Sequence, residues 1–348
     1  MHGIFTATGT TGPGADLEPF LPAARTTLCG YGRQALAIAL RRAGVGSGDA
    51  VLLPGFVCRE VLGSVRSVGA DPRFYDVDEG LHTVIDSLND QGSVTAKAIV
   101  AVNYFGFPQP IEPLRQWCRA HCAILIEDNA HGFLSADGST PLGRRGDFGI
   151  FSLRKTLALP NGAAVVDNRS GECAVGDAPF RASSTRTMAA WALKRAMKGV
   201  LALGGTSAVR PLIASVRLAR RCATGTGVPS APTDAEVAIP QEELAPITKA
   251  LLRRTAVGAE SERRRSLFRQ CQALLHGIPD VRPVFTKLPD GVVPQGFPFF
   301  YLGPDPRGFV DQWWRSGVPV VGWPDLPSEL ALEAPVHYRQ VMLIPFLW

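Results

Sequence analysis

AILIEDNAHGF, residues 123–133, is the stretch that decides the fold of this chain. Its apolar start, Ala123 to Ile126, stops abruptly at the charged pair Glu127 and Asp128. A short apolar run closed by charge is typical of a buried parallel strand whose carboxyl end opens on a binding site. His131 follows three residues after Asp128, so the stretch predicts a strand that delivers an acid and a histidine to one site.

A second stretch, GDFGIFSLRKTLALPNGAAVV over residues 146–166, supplies a lysine. It predicts a short strand from Gly149 to Leu153, with Lys155 just beyond the strand end. A structural surface lysine is the alternative, but a free ammonium among apolar strands is costly to bury. A lysine amine forms a Schiff base with the aldehyde of pyridoxal 5'-phosphate (PLP), and an acid keeps the pyridine nitrogen protonated. We therefore expect a PLP site.

Short apolar strands alternate with helical patterns before and between these stretches. Such alternation predicts an α/β fold with a mainly parallel sheet covered by helices on both faces. Ligands of such sheets bind beyond the carboxyl ends of the strands. The predicted strands are Ala50–Leu53, Arg73–Val77, Ala98–Val102, Ala123–Ile126 and Gly149–Leu153, and the predicted helices between them are Arg59–Val68 and Ile111–Ala120.

Changes in composition divide the chain into three parts. Residues 1–25, rich in Gly, Thr and Pro, predict an N-terminal arm. Residues 26–255 predict the large PLP-binding domain. Residues 256–348 are predicted to form a small C-terminal α+β domain, with a short strand at Val318–Val321.

Two further segments carry basic residues. RTMAAWALKRAMKGVLALGG, residues 186–205, predicts an amphipathic helix. It is expected to pack on its own protein, with a membrane surface or a partner helix as alternatives. The run Arg263 to Arg265 is expected to form a solvated face, with contact to an anionic substrate as the alternative. Thr224 to Pro240 predicts a loop.

Composition narrows the class of protein. The 348 residues include 36 basic and 31 acidic side chains, and the net charge of +5 is weak evidence for nucleic acid. No apolar run is long enough to predict a membrane span, and the N-terminus lacks the pattern of a secretory signal. The close pair Cys118 and Cys122 fits a helix facing the core better than a zinc site. We therefore expect a reduced, cytoplasmic protein.

A glycine-flanked helix start lies near the beginning of the predicted large domain. Gly30 and Gly32 precede a helical pattern, and such a start presents free backbone N–H groups that favour a phosphate. Arg33 would add a charged donor. An ordinary turn into a packing helix is the alternative. The segment contains no G-x-G-x-x-G after a strand, which argues against a dinucleotide site.

Several pieces of the sequence, taken together and in order, resemble the DegT/StrS family of PLP-dependent sugar aminotransferases, which have the aspartate aminotransferase fold (fold type I). The resemblance covers most of residues 28–166 and, more loosely, residues 260–348. The matching pieces are GRQALAIAL, VGSGDAVLLPGFVC, VGADPRFYDVD, AKAIVAVNYFG, ILIEDNAHGF, GDFGIFSLRK and GVPVVGWP.

The resemblance implies a seven-stranded sheet and the transfer of an amino group from an amino-acid donor, glutamate, to a keto or aldehyde acceptor. It implies Lys155 as the Schiff-base lysine and proton carrier, and Asp128 as the partner of the pyridine nitrogen. It also implies a homodimer with active sites between the subunits. The other cofactor-binding positions that it implies are Gly32, Arg33 and Gln34 through backbone phosphate contacts, Ser152 through its hydroxyl, His131 beside the ring hydroxyl, and Cys58 at the ring face.

Two of these residues depart from the family pattern. Ser152 lies three residues before Lys155, whereas the family serine more often lies five before. Cys58 stands where an aromatic usually covers the ring face, so Phe56, Phe105 or no side chain is expected there. These departures leave the acceptor open among nucleotide-sugar ketones, cyclitols, amino acids and other biosynthetic carbonyls.

Purely structural roles are the alternatives for individual residues. Asp128 would cap a helix beginning at Asn129, and His131 would be a satisfied core histidine. Glu127 is expected to make a structural hydrogen bond. For the whole protein the alternatives are a PLP enzyme of another reaction type (elimination, dehydration or decarboxylation), a non-catalytic relative, and a nicotinamide-dependent enzyme.

Overall fold

The structure is a computed structural model that describes residues 17–89, 95–169, 180–202 and 239–346. Its strands are β1 (Thr26–Cys29), β2 (Ala50–Pro54), β3 (Asp71–Tyr75), β4 (Ala96–Val102), β5 (Ile124–Asn129), β6 (Ala136–Asp137), β7 (Thr140–Pro141), β8 (Phe148–Phe151), β9 (Ala163–Asp167), β10 (Val281–Pro283), β11 (Gly296–Tyr301), β12 (Val321–Gly322) and β13 (Val341–Pro345).

The main sheet has seven strands in the order β1-β9-β8-β5-β4-β2-β3. The neighbouring strands β3, β2, β4, β5 and β8 run parallel to one another. β9 is antiparallel to both of its neighbours, β8 and β1. All of β2 and most of β4 are buried, so both faces of the sheet are covered, as parallel strands require. The mainly parallel α/β fold predicted from the sequence is therefore confirmed.

Helices cover this sheet, with α1 packed against β8, β9 and α2, and α4 packed against β4 and β5. The helices are α1 (Gly32–Arg42), α2 (Arg59–Arg66), α3 (Ile85–Asn89), α4 (Ile111–His121), α5 (Leu153–Thr156), α6 (Thr185–Ala202), α7 (Pro246–Leu252), α8 (Val257–Leu275), α9 (Pro306–Arg315), α10 (Ser328–Ala331) and α11 (Val336–Gln340), with short 3₁₀ turns at Ala23–Arg25 and Tyr104–Gly106.

A second sheet, β10-β11-β13-β12, is antiparallel and lies in the last part of the chain. Phe268 of α8 lies between the two sheets, with ring centroids 5.6 Å from Phe107 and 4.8 Å from Phe297. One hydrophobic core therefore runs from the main sheet into the small one. The small α+β unit is confirmed, whereas its boundary at residue 256 stays a prediction.

Several predicted strands are displaced. β3 spans Asp71–Tyr75 rather than Arg73–Val77, because an edge strand tolerates Pro72, which has no N–H to donate. β5 extends to Asn129, so the acids of the first stretch are strand residues. β8 ends at Phe151, because Leu153 already belongs to the one-turn helix α5, where it is buried. The strand predicted at Val318–Val321 is instead β12, Val321–Gly322.

Two predictions about side chains are wrong. Arg264 is fully buried and its neighbours Arg263 and Arg265 are partly buried, so the three arginines do not form a solvated face. The reason is Glu260, one turn earlier, which pairs with both Arg263 and Arg264. Cys122 is exposed rather than core-facing, because it ends α4 with a left-handed backbone (φ +53°).

Some predictions fall outside the described residues. They include most of the N-terminal arm and nearly all of the loop at residues 224–240. The predicted amphipathic helix is present as α6, although the side chains of Lys194 and Lys198 lie outside the description. Across the described ranges, no helix is both long and apolar enough to cross a membrane.

Candidate active site

A cavity of about 170 Å³ opens at the carboxyl ends of β2, β4, β5 and β8. It lies where the parallel arrangement of the sheet predicts a ligand site. Gln34 is the one sequence-predicted site residue that does not line it. The predicted residues that do line the cavity are Gly32, Arg33, Cys58, Asp128, His131, Ser152 and Lys155.

Lys155 and His131 are in contact in the wall of this cavity. The turn after β5 and the one-turn helix α5 bring Lys155 Nζ to 3.2 Å from His131 Nε2. The His131 ring is buried and stacks on Phe105, with centroids 5.4 Å apart. Burial, and then the charge of Lys155, hold the pKa of His131 well below its usual value. His131 is therefore neutral, and its Nε2 can accept a hydrogen bond from the lysine ammonium.

Asp128 lies in the cavity wall at the end of β5. No helix begins at Asn129, so Asp128 is not a helix cap; its Oδ1 instead accepts a hydrogen bond from Ala130 N–H at 2.8 Å. Burial raises the pKa of Asp128, while the Ala130 N–H and the Lys155 charge oppose that shift. A cationic ligand group beside Asp128 would favour its ionised form.

One end of the cavity is suited to an anion. Helix α1 begins at Gly32, and the preceding residue, Tyr31, gives its first turn no side-chain cap. A Cβ atom at Gly32 would lie 3.3 Å from the Cβ of Ser152, so a side chain there would crowd the helix start. The guanidinium carbons of Arg33 and Arg154 each lie 5.7 Å from the centroid of the Tyr31 ring. The start of α1 therefore combines uncapped backbone N–H groups, the positive end of the helix dipole and two cationic side chains, which together favour an anion.

Another part of the cavity wall is aromatic. Trp323, from the C-terminal part of the chain, lines the cavity and packs with its ring centroid 4.9 Å from Phe56 and 4.8 Å from Phe105. Phe56 also lines the cavity, whereas Phe105 is buried behind it against His131. Burial raises the pKa of the Cys58 thiol to about 12, so Cys58 is a neutral wall residue and not a nucleophilic thiolate.

A buried ionic network supports the strand that carries Asp128. Glu127 is fully buried and pairs with Arg145, with Nη2 and Oε2 2.8 Å apart. Arg145 also donates to Asn103 Oδ1 at 2.9 Å, and Asn103 Nδ2 donates to Glu127 Oε2 at 3.1 Å. The predicted structural hydrogen bond of Glu127 is therefore one of several, and the network fixes β5 immediately before Asp128.

Sequence reasoning missed several residues of this site. The sequence does contain a signal for Arg154, because this residue is a second cation directly before Lys155. Trp323 lies in the piece GVPVVGWP, but only the tertiary fold shows that it reaches the cavity.

Gln34, a predicted residue, is fully buried outside the cavity lining, and neither polar atom of its side-chain amide has a partner among the described residues. No group of histidine, cysteine and acidic side chains suited to a metal ion occurs in the described part of the chain.

Comparison with known proteins also finds similarity to aminotransferases. Residues 16–185 match the profile of the DegT/DnrJ/EryC1/StrS aminotransferase family. GDP-perosamine synthase from Vibrio cholerae is 30% identical over 156 residues, which cover 44% of this chain and 42% of that protein. This match therefore spans less than half the length of that relative.

Two solved structures share the fold across most of the chain. The aminotransferase TlmJ from Streptoalloteichus hindustanus has a TM-score of 0.63 at 19% identity, covering 94% of this chain and 82% of TlmJ. The PLP form of the putative sugar aminotransferase Spr1654 from Streptococcus pneumoniae has a TM-score of 0.63 at 15% identity, covering 95% and 84%. The chain is therefore similar to the DegT/DnrJ/EryC1/StrS aminotransferase family over residues 16–185, and it shares the fold of these two structures over most of its length.

Proposed function

We propose that this protein is a PLP-dependent aminotransferase that moves an amino group from an amino-acid donor, glutamate, to a ketone or aldehyde acceptor. The observation that carries the proposal is the 3.2 Å approach of Lys155 Nζ to His131 Nε2, in a cavity that Asp128 also lines. The site lies at the carboxyl ends of parallel strands, where such sheets bind ligands. The family match supports the reaction class.

The residues of the cavity fit PLP at three of its functional groups. The uncapped start of α1, with Arg33 and Arg154 nearby, suits the phosphate. The amine of Lys155 suits the aldehyde. Asp128 suits the pyridine nitrogen, because a protonated ring nitrogen would supply the positive charge that this buried carboxylate needs.

When bound, PLP supplies an aldehyde that condenses with amines and a ring that withdraws electrons from the carbon next to the amino group. Lys155 Nζ would hold the cofactor through its aldehyde. The same amine, when free, would act as the base that takes the proton from the α-carbon of the donor. Asp128 holds negative charge beside the ring nitrogen. The neutral His131 ring, held by its stacking on Phe105, keeps the lysine amine in place.

The other predicted positions take supporting roles in this proposal. Cys58 packs at the ring face as a neutral thiol, and Phe56 and Trp323 complete that wall. The residues proposed to hold the phosphate are Gly32, Arg33 and Gln34 through backbone N–H groups and Ser152 through its hydroxyl.

We further propose a nucleotide-linked keto sugar as the acceptor. The support is the similarity to GDP-perosamine synthase, together with the cations Arg33 and Arg154, which favour an anionic ligand. The protein is proposed to be a cytoplasmic homodimer with active sites between its subunits, on the family resemblance. Its proposed parts are an arm (residues 1–25), a large domain (residues 26–255) and a small domain (residues 256–348).

The test uses PLP-loaded protein and glutamate without any acceptor. A transaminase forms at most about one 2-oxoglutarate per site under these conditions, because each site can accept one amino group. The product is measured by coupled assay, and a panel of nucleotide-linked keto sugars then restores turnover. Lys155→Ala should form none, whereas Lys97→Ala, which alters an exposed lysine of β4, should behave as wild type.

Two results would refute the proposal. The first is wild-type turnover by Lys155→Ala. The second is continuous release of ammonia from the donor, which would identify an elimination or another non-transferring reaction.

A further inference from the structure

Arg264 of α8 is fully buried and binds main-chain carbonyls from three separate segments of the chain. Two of these carbonyls belong to the helix that carries the cofactor lysine. Arg264 Nη2 lies 2.6 Å from Thr156 O, 3.4 Å from Lys155 O and 3.3 Å from Phe346 O, and Nη1 lies 3.2 Å from Pro294 O and 3.3 Å from Gln295 O.

The helix that carries Lys155 has little support of its own. It is a single turn, Leu153–Thr156, closed by a bond of 2.8 Å from Leu157 N–H to Leu153 O. The chain leaves this turn in an extended conformation at Leu157 (φ −108°, ψ 156°). The carbonyls of Lys155 and Thr156 therefore have no following helical turn to donate to them, and they carry the negative end of the local dipole. A cation at this position satisfies both.

The Arg264 side chain has the charge and the shape for this role. Glu260 lies one turn earlier in α8, with its Oε1 2.6 Å from Arg264 Nε. Burial lowers the pKa of Arg264 to about 10, opposed by the Glu260 carboxylate, so the guanidinium is charged at neutral pH. A planar guanidinium can donate to several carbonyls at fixed angles, whereas a lysine ammonium at the same place presents a single point of charge.

We propose that Arg264 is the positioning residue of Lys155: by holding the carbonyls of Lys155 and Thr156, it fixes the backbone from which the lysine amine reaches His131. This inference rests on the proposed role of Lys155. It also means that α8 and the strand ending before Phe346 help to set the geometry of the site, although neither contributes a reacting group.

The test compares Arg264→Lys with Arg263→Lys. The control arginine pairs with the same Glu260 carboxylate, at 2.7 and 2.9 Å, and among the described residues it makes no hydrogen bond to residues 153–157. Amide hydrogen exchange is measured on cofactor-free protein for residues 153–159 and, as a reference, for residues 96–102 of β4. Arg264→Lys should exchange about tenfold faster at 153–159, as the loss of charge-assisted hydrogen bonds implies. Exchange at residues 96–102 of Arg264→Lys should equal that of wild type, and so should exchange at both segments of Arg263→Lys.

The PLP-loaded variants provide a second measurement. In Arg264→Lys, kcat should fall about tenfold or more while KM for the donor changes less than about twofold, because binding groups are intact and the amine is misplaced. If Arg264→Lys does not fold, Glu260→Gln replaces it, with an expected increase of about two- to fivefold in exchange at 153–159.

The inference is overturned if residues 153–159 exchange alike in the Arg264 variant and the control, or if β4 is accelerated as much as the lysine turn. It is also overturned if neither Arg264→Lys nor Glu260→Gln changes exchange at 153–159. The exchange measurement needs no cofactor. A protein in which Arg264→Lys accelerates exchange at residues 153–159, but which binds no PLP, would refute the proposed function and still support the positioning role of Arg264.

Discussion

Replacing Arg145 by methionine is expected to destabilise the folded protein by about 3–5 kcal/mol, because it leaves the Glu127 carboxylate buried without its counter-ion. Glu127 is fully buried, and the Arg145 side chain is only 6% exposed. The guanidinium makes two bonds to Glu127 Oε2, at 2.8 and 3.0 Å, and a third to the carbonyl of Gln109 at 3.1 Å. The same change removes all of these bonds at once.

The assay is urea unfolding at pH 7, with the surface pair Arg119–Glu112 as the matched control. Its charges are also 2.8 Å apart, but the side chains are 60% and 55% exposed, so Arg119→Met should cost at most about 1 kcal/mol. Replacing both Glu127 and Arg145 by methionine should cost less than Arg145→Met alone, since no unpaired charge is left. If Arg145→Met costs no more than Arg119→Met, the reasoning from burial is refuted.

Three other predictions concern the cavity. Asp128→Asn should bind PLP but lower turnover by about 10²–10³ in steady-state kinetics, as for loss of an electrostatic stabiliser; unchanged kinetics would dismiss its role. His131 has a depressed pKa in the folded protein, so below about pH 6.5 the unfolded state binds the extra proton and stability falls with falling pH, by up to about 1.4 kcal/mol per unit. Urea titrations should show His131→Gln lacking this component, and equal pH slopes in the two proteins would contradict it. Arg154→Met should weaken PLP binding about tenfold in equilibrium dialysis, whereas Arg144→Met, whose bonds go to Asn168 and Pro19, should not; equal affinities would exclude Arg154 from the phosphate end.

The parts of the fold that the sequence predicts are those encoded by short-range pattern. Continuous apolar runs such as Ala98 to Val102 identify buried parallel strands, because a strand covered on both faces has no polar side. The same logic places Asp128 and Lys155 at one edge of the sheet, since the carboxyl ends of parallel strands lie together. The cavity lies at that edge.

Long-range contacts explain what the sequence does not predict. Three consecutive arginines resemble a solvated surface. Glu260 is a local partner of Arg264, but the other partners of Arg264 are main-chain carbonyls far away in the sequence, and no sequence pattern marks a carbonyl because every residue has one. Trp323 reaches the cavity from the C-terminal part of the chain, where its backbone N–H donates to Val341 O of β13. The edge position of β3, which permits Pro72, is likewise a property of the whole sheet.

The bond between Arg264 and the carbonyl of Lys155 joins positions 109 residues apart. On the ribosome, the turn bearing the lysine is therefore translated well before the guanidinium that braces it. Until Arg264 has been translated, the turn that carries Lys155 lacks this hydrogen-bond donor. Contacts between residues so distant in sequence also form slowly. Loading with the vitamin-derived aldehyde should accordingly be a late event in maturation, after α8 has docked.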